Sequence, residues 1–476
     1  MKKTIVAALI SLAAVVFALC TVCCAAEFEG VTKSGLHYGL LEDNTYGIYD
    51  YDGKSAKVEI PSKINGLKVT AILHNTFYEN ETVTSVTLPD TLTFIDSQAF
   101  YKCNNLKSVT IPDSVETIEA YAFYHCEDLK KIKLPASLKE IKEGTFDECK
   151  SLESITIPNG VKSIGEYAFN YCENLKTVKL SSSLETIGYC AFNDCESLEA
   201  LEMPNTVKSI GEHAFAGCKS MKTAKLSDNL TCITKYSFPN CYALTEVTLP
   251  KKLKILEECA FLHCESLKKI TLPNGTESIG YYTFCGCNSL EEISLPASLK
   301  EISRNSFQGT NIKKIKLSKN NKYFTVSNRI LYNKDMTLLI LASKERTRVT
   351  IPDTVKEIGC CAFTHCKNLE RITFGKSVEK IGEQAFLGCS SLKSVVLPSS
   401  LKHVDMYAFY DCVNLKSITI PESVETIYRY AFGYKSADYD YREDEPVPGV
   451  VIKCVKGSKG EEYAKGYNLK YKLIDS

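Results

Sequence analysis

The chain reads as a solenoid of the α/β class, in which 23-residue coils lay a parallel β ladder on one face and short helices on the other. Three observations carry that expectation. A phenylalanine recurs every 23 residues, at Phe77, Phe100, Phe123 and onward to Phe307, then again from Phe363 to Phe432. An aliphatic residue stands five places before each of these fifteen phenylalanines, from Ile72 to Ile427. Twelve of the fifteen prolines, from Pro61 to Pro421, fall at one position of the repeat. A fixed period in the low twenties marks turns that each contact only their neighbours. It overrides the prior of several globular domains that 476 residues would otherwise suggest.

Within the unit starting at Leu106, the alternation of Leu106, Val109 and Ile111 around Ser108 and Thr110 predicts a half-buried strand. Pro112 lacks an N–H and ends it. Val115 and Ile118 give a second short extended stretch. Ile164, Ala168 and Cys172 then fall on one helical stripe beside Phe169, and Ser163/Glu166 and Ser209/Glu212 have capping-box spacing, which predicts a helix of about two turns. Glycines such as Gly165, Gly188, Gly211, Gly280, Gly359 and Gly382 stand four places before the phenylalanine and mark a tight backbone approach.

The ends and the interruption read differently. Lys2 and Lys3, an apolar run Ile5 to Leu19, and small Ala25 and Ala26 make residues 1–26 a signal peptide, with cleavage before Glu27. A lipid anchor on Cys20, Cys23 or Cys24 is the alternative to simple secretion. Residues 27–68 fit a β-rich N-terminal cap, followed by a repeat array over 69–317. The spacing of 56 between Phe307 and Phe363 places irregular inserted coils at 318–349, with strands around Phe324, Ile330 to Tyr332 and Leu338 to Leu341, and a hairpin turn at Asn333, Lys334 and Asp335. The array continues over 350–437, and 438–476 hold an acidic loop and a small C-terminal cap with a helix from Ser458 to Tyr467.

The unit L-P-x-S-[LV]-x-x-I-G-x-x-A-F-x-x-C, as in Ile157-Pro158 through Gly165 to Ala168-Phe169 and Cys172, resembles the BspA-like leucine-rich repeats of bacterial surface proteins. Ile351-Pro352 through Ile358-Gly359 to Cys366 matches it after the insertion, and Tyr51, Gly53, Ile60-Pro61, Gly66 and Val69 look like that family's first unit. Over roughly 60–437 the resemblance implies exported proteins used for adhesion and protein binding, without known chemistry. Thr276 and Thr310 depart from the pattern.

Balanced charge, 57 basic against 57 acidic residues, argues against a nucleic-acid partner. Twelve of the 22 cysteines stand three places after a repeat phenylalanine. Side chains at one position of successive coils are parallel and about 4.8 Å apart, whereas a disulfide needs Cβ atoms about 3.8 Å apart and aimed at each other. The expectation is a column of buried thiols. His125, His263 and His365 each precede a column cysteine but lie many coils apart, so no metal is expected. Motifs for nucleophilic, metal or phosphate chemistry are missing, and neither an enzyme nor a cofactor is expected. The acidic run Asp438, Asp440, Glu443, Asp444 and Glu445 lacks ordered calcium-ligand spacing.

What remains is surface. Outward strand positions form a stripe of lysines and hydroxyls, with Lys107, Lys131, Lys133, Lys179, Lys225 and Lys269 as candidate contacts for an acidic or glycan-decorated partner. Tyr121, Tyr167 and Tyr236 recur two places before the phenylalanine and offer a second candidate face. The expected function is that of a monomeric, exported protein binding a protein or glycoprotein ligand on host matrix or neighbouring cells. An inert spacer is the alternative, and an exported hydrolase the least supported.

Overall fold

The computed structural model describes residues 27–436 and 444–475. The expected signal peptide, its cysteines, and Asp438, Asp440 and Glu443 of the acidic run lie outside the described residues. The chain divides between Asn229 and Leu230 into two compact units.

In the first unit a meander of three antiparallel strands, Glu27–Val31, Leu36–Leu40 and Tyr46–Tyr51, opens the fold, and its last strand pairs in parallel with Leu67–Ile72. Coils follow, each contributing two short strands to two parallel ladders. On one ladder Ser85, Ser108 and Lys131 face one another in register, 23 residues apart. On the other, Ile72, Ile95 and Ile118 align in the same way, as do Ile141, Ile164, Ile187 and Ile210. The central residue of each three-residue strand points inward, as Val109 and Ile155 do, and its neighbours point out.

The face expected to carry short helices is built instead of hydrogen-bonded turns, and among the described residues the only α-helix is Lys459–Gly466. The reason lies in two residues per turn. The positions two before and two after the phenylalanine are left-handed in nearly every coil, for example Tyr121 (φ 58°) and His125 (φ 56°) around Phe123, and Tyr167 (φ 55°) and Tyr171 (φ 51°) around Phe169. A helix cannot contain such residues. They turn every second N–H sideways: Phe100 donates to Ala122 (2.8 Å) and Lys102 to Tyr124 (2.8 Å) of the next coil, while Tyr101 and Cys103 close i→i−3 bonds at 3.1 and 3.2 Å. The turn is thus a third ladder. Ser163 and Ser209 belong to strands Ser163–Ile164 and Ser209–Ile210 and cap no helix.

Close approach explains the glycines. A Cβ on Gly188 would sit 2.6 Å from the backbone of Glu166 in the coil below, and one on Gly211 would sit 2.4 Å from Gly188. The phenylalanines form parallel stacks: Phe77 to Phe100 at 5.0 Å, Phe169 to Phe192 at 5.1 Å, Phe192 to Phe215 at 5.3 Å, with interplanar angles of 6°, 7° and 3°. Tyr51 closes the stack at the N-terminal end, 5.3 Å from Phe77.

The second unit repeats the architecture, with stacks from Phe238 to Phe307 and from Phe363 to Phe432. Between them an antiparallel hairpin set, Phe324–Ser327, Ile330–Asn333 and Leu338–Ala342, takes the place of regular coils, and Leu338–Leu339 rejoin the ladder against Glu357–Ile358. After the last coil, strand Val451–Cys454 pairs with Ser417–Ile420, and the helix Lys459–Gly466 covers the core. Ser458 Oγ donates to Val455 instead of capping the helix, while Glu461 accepts from the Gly457 N–H at 2.7 Å. Tyr463 stands where the next coil would be: its hydroxyl accepts from the Phe432 N–H (3.0 Å) and donates to the Phe432 carbonyl (2.9 Å).

Phe192 is 1% exposed between two rings, so Phe192→Ala should destabilise its unit by about 3–5 kcal/mol. Removing residues 181–203 whole should cost less, because the flanking coils present the same surfaces and restack. Urea unfolding of the two variants checks the order; a deletion worse than the point change would contradict nearest-neighbour stacking.

Candidate interaction surface

Two kinds of exposed lysine can be separated by what lies one coil away. Along the coil edges, lysines meet glutamates 23 residues earlier at 2.6 Å: Lys142 with Glu119, Lys150 with Glu127, Lys208 with Glu185, Lys219 with Glu196, and Lys300 with Glu277. These ammonium groups hold the Glu127, Glu185 and Glu277 carboxyls below the usual range. The pairs tie neighbouring coils and leave little net field. They were legible in the sequence as opposite charges one period apart, a signal that reading single coils misses.

The strand-face lysines behave differently. Lys107, Lys131, Lys133, Lys179, Lys225 and Lys269 are all exposed, standing on or just before three-residue strands whose central residue anchors the backbone. Lys133 lies 3.4 Å from Asp113, and Lys269 lies 3.5 Å from Glu292, which also holds Lys314 and Lys316. Among the described residues no carboxylate comes within ion-pair distance of Lys107, Lys131, Lys179 or Lys225. Register places Thr110 beside Lys133, Thr156 beside Lys179, and Glu202 beside Lys225. Lys133, Lys179 and Lys225 therefore recur at every second coil, about 10 Å apart from two strand spacings. The first unit thus carries a column of cations on a rigid backbone, with Thr156 between Lys133 and Lys179 and Glu202 between Lys179 and Lys225.

The tyrosines occupy the turn face and are half-buried. The Tyr121 hydroxyl donates to Glu143, and its ring covers Gly144, where a Cβ would meet it at 2.2 Å. The Tyr167 ring packs edge-on against Tyr189 at 5.3 Å. A bond with Cys259 raises the Tyr236 phenol to about 12, burial adding to it. These side chains bridge neighbouring coils.

The cysteine column has its own chemistry. Within the regular arrays the thiols donate to the carbonyl of the phenylalanine one coil back, at 2.9 Å for Cys103 to Phe77, 3.2 Å for Cys149 to Phe123 and 3.4 Å for Cys218 to Phe192. No disulfide occurs among the described cysteines. Burial pushes the Cys103 and Cys412 thiols up to about 12, far from the thiolate form that reacts. His125 and His365 are left-handed, so their rings leave the column; His125 Nε2 lies 3.2 Å from Glu148. Among the described residues no three His, Cys, Asp or Glu side chains converge as a metal would require. Asp444 accepts from the Tyr410 hydroxyl, and Glu445 pairs with Lys435 at 3.4 Å. Among the described residues no helix is long and apolar enough to cross a membrane.

This architecture is that of a leucine-rich-repeat solenoid. The family model for the BspA type leucine rich repeat region matches in overlapping stretches at 70–198, 139–268, 254–342 and 340–438, and the chain belongs to that family. A leucine-rich repeat protein from Bacteroides ovatus has a similar crystal structure, 24% identical, covering 94% of this chain and 98% of that one with a TM-score of 0.55. A leucine rich cell surface protein from Faecalibacterium prausnitzii is 24% identical over 84% of this chain and 90% of its own, with a TM-score of 0.39. No curated protein matches the sequence.

Two predictions follow from the buried polar columns. The column thiols should resist alkylation in the folded protein and react once it is unfolded; mass spectrometry that finds consecutive column cysteines disulfide-linked would refute this. The second concerns Asp147, 8% exposed, which begins an amide column: Asn170 Nδ2 donates to Asp147 Oδ1 and Asn193 Nδ2 to Asn170 Oδ1, both at 2.9 Å. Burial raises the Asp147 carboxyl to about 7, against the Asn170 bond that lowers it. The folded chain then keeps a proton that the unfolded chain has lost, so stability falls as pH rises from about 4 to about 7 and levels off above. Asp147→Asn keeps the acceptor and should flatten that decline, raising the melting temperature at about pH 8 by a few °C. Parallel pH profiles of parent and variant would rule the carboxyl out as its source.

Proposed function

We propose that this chain is an exported, non-catalytic scaffold that docks an acidic protein or glycoprotein, on host matrix or neighbouring cells, against the strand face of its first unit. One observation carries the reading: five lysines along the coil edges are neutralised across one period, whereas on the strand face Lys131 and Lys179, with Lys107 beside the ladder, have no carboxylate within ion-pair distance among the described residues, and Lys225 has only the laddered Glu202 beside it. An exposed parallel ladder holds these cations in fixed register, so an extended anionic partner meets them without ordering the scaffold first. Family membership supports a protein-binding role, and we take the monomer as the acting species.

The test uses the mature chain with a sialylated glycoprotein and its desialylated form as probes. Lys131, Lys133, Lys179 and Lys225 changed together to Ser should leave the melting temperature nearly unchanged, because these side chains point away from the core. Binding to the sialylated probe should weaken at least tenfold and lose its salt sensitivity, which a Debye length of about 8 Å imposes under physiological conditions. Tyr121, Tyr167 and Tyr236 changed to Ser form the matched control. Loss of binding in the tyrosine variant alone would move the site to the turn face. Absence of binding by the parent chain to either probe would favour the inert spacer.

A further inference from the structure

Where regular coils stop, the second unit buries a cation. A regular coil donates two turn N–H groups to the carbonyls flanking the next phenylalanine, as Phe123 does to Thr145 and His125 to Asp147. Below Phe363 that turn is missing. The Ala342 N–H supplies the first bond, to Ala362 at 2.9 Å, and the Lys344 ammonium supplies the second, donating to the Thr364 carbonyl. Lys344 is 6% exposed. Among the described residues no carboxylate lies within ion-pair distance of it, since Glu345 is held by Arg329 at 2.8 Å. A buried ammonium without a counter-charge is costly, and one carbonyl satisfies one of its three donors.

The missing turn also leaves space. An open-mouthed cavity of about 540 Å³ lies beside Lys344, lined by Lys313, Lys367, His365, Asn288, Asn311 and others. Lys313 is paired with Glu291 at 2.6 Å, and the one lining carboxylate, Glu345, with Arg329 at 2.8 Å, which leaves Lys344 and Lys367 as the lining charges without an ion-pair partner among the described residues. Partial desolvation beside the cavity, with Lys344 and Lys367 nearby, holds the His365 imidazole below its usual range. The lining is therefore cationic and rich in amide donors.

We propose that this cavity is a binding site for a sugar bearing a sulfate or phosphate monoester, whose oxyanion neutralises Lys344. A bare ion would leave most of about 540 Å³ empty, whereas a monosaccharide ring fills it and meets the asparagine amides. Lysine ammonium groups and amide N–H donors are what such oxyanions accept from. The site lies in the second unit, whereas the docking reading rests on the strand face of the first, so its failure leaves that reading intact.

The experiment is calorimetric titration of the full mature chain with N-acetylglucosamine 6-sulfate, glucose 6-phosphate and unsubstituted N-acetylglucosamine. Binding of one or both esters, at least tenfold tighter than the neutral sugar, is expected, and the stronger ester names the source of the oxyanion. Lys344→Met keeps the length of the side chain and should abolish the preference; Lys367→Ser, on an exposed position, should weaken ester binding without lowering the melting temperature. In the parent, the bound ester should move the His365 NMR titration to higher pH. Equal affinity for esters and neutral sugar, no binding of either ester, or unchanged ester binding in Lys367→Ser together with an unmoved His365, overturns the proposal.

Discussion

Each coil of this protein leaves half of its turn N–H groups and both edges of its short strands without partners of its own, and only a neighbouring coil in the same register supplies them. Phe100 to Ala122 and Lys102 to Tyr124 are one instance of a bond set that recurs with the period. Two- and three-residue strands are far too short to persist alone. Stability is therefore a property of the contact between coils, and residues at that contact repeat because the contact repeats. The stacked phenylalanines fill the interior between successive turns, the glycines let backbones approach, and the thiols satisfy a second lone pair on phenylalanine carbonyls such as that of Phe169. Cysteine suits this place because it is small, apolar and a weak donor at once.

The same geometry sorts the charges. Anything placed at one position of successive coils sits about 4.8 Å from its equivalents, so like charges repel and opposite charges bond. Glu119 and Lys142, or Glu185 and Lys208, obey this and become part of the scaffold. Lysines spaced by two coils with threonine between them, as Lys133 and Lys179 are around Thr156, avoid the like-charge contact that adjacent coils would impose. Alternation of this kind holds a field on the surface at small cost to the fold.

The period, the inward column and the ladder positions were legible because each is fixed by one residue type at one offset: proline ends the strand, phenylalanine fills the turn, glycine admits the neighbour. The turn itself was misread as a helix. Apolar residues four apart, such as Ile164, Ala168 and Cys172, satisfy a helical stripe, and nothing in their identities reveals that Tyr167 and Tyr171 between and beside them are left-handed. Tyrosine seldom adopts that conformation, so propensity pointed away from it. The cross-coil bonds impose it. Lys344 was invisible for a related reason: its neighbours come from a hairpin and from a coil twenty residues on, Thr364, whose proximity depends on a turn that is absent.

The hydroxyl of Tyr463 acts as donor and acceptor to Phe432 at once, which a phenylalanine ring in its place could not do. Its bonds close the third ladder at its C-terminal end. An unclosed ladder presents to solvent the same surface that each coil presents to the next, and a second molecule could continue it. Head-to-tail fibres are the natural hazard of any solenoid whose interfaces are all alike. At the C-terminal end the edge is the three-residue strand Tyr471–Leu473, flanked by Lys470 and carrying Lys472, charges that disfavour pairing with another copy. One phenolic oxygen and two lysines thus blunt the C-terminal face of a chain made of self-complementary parts.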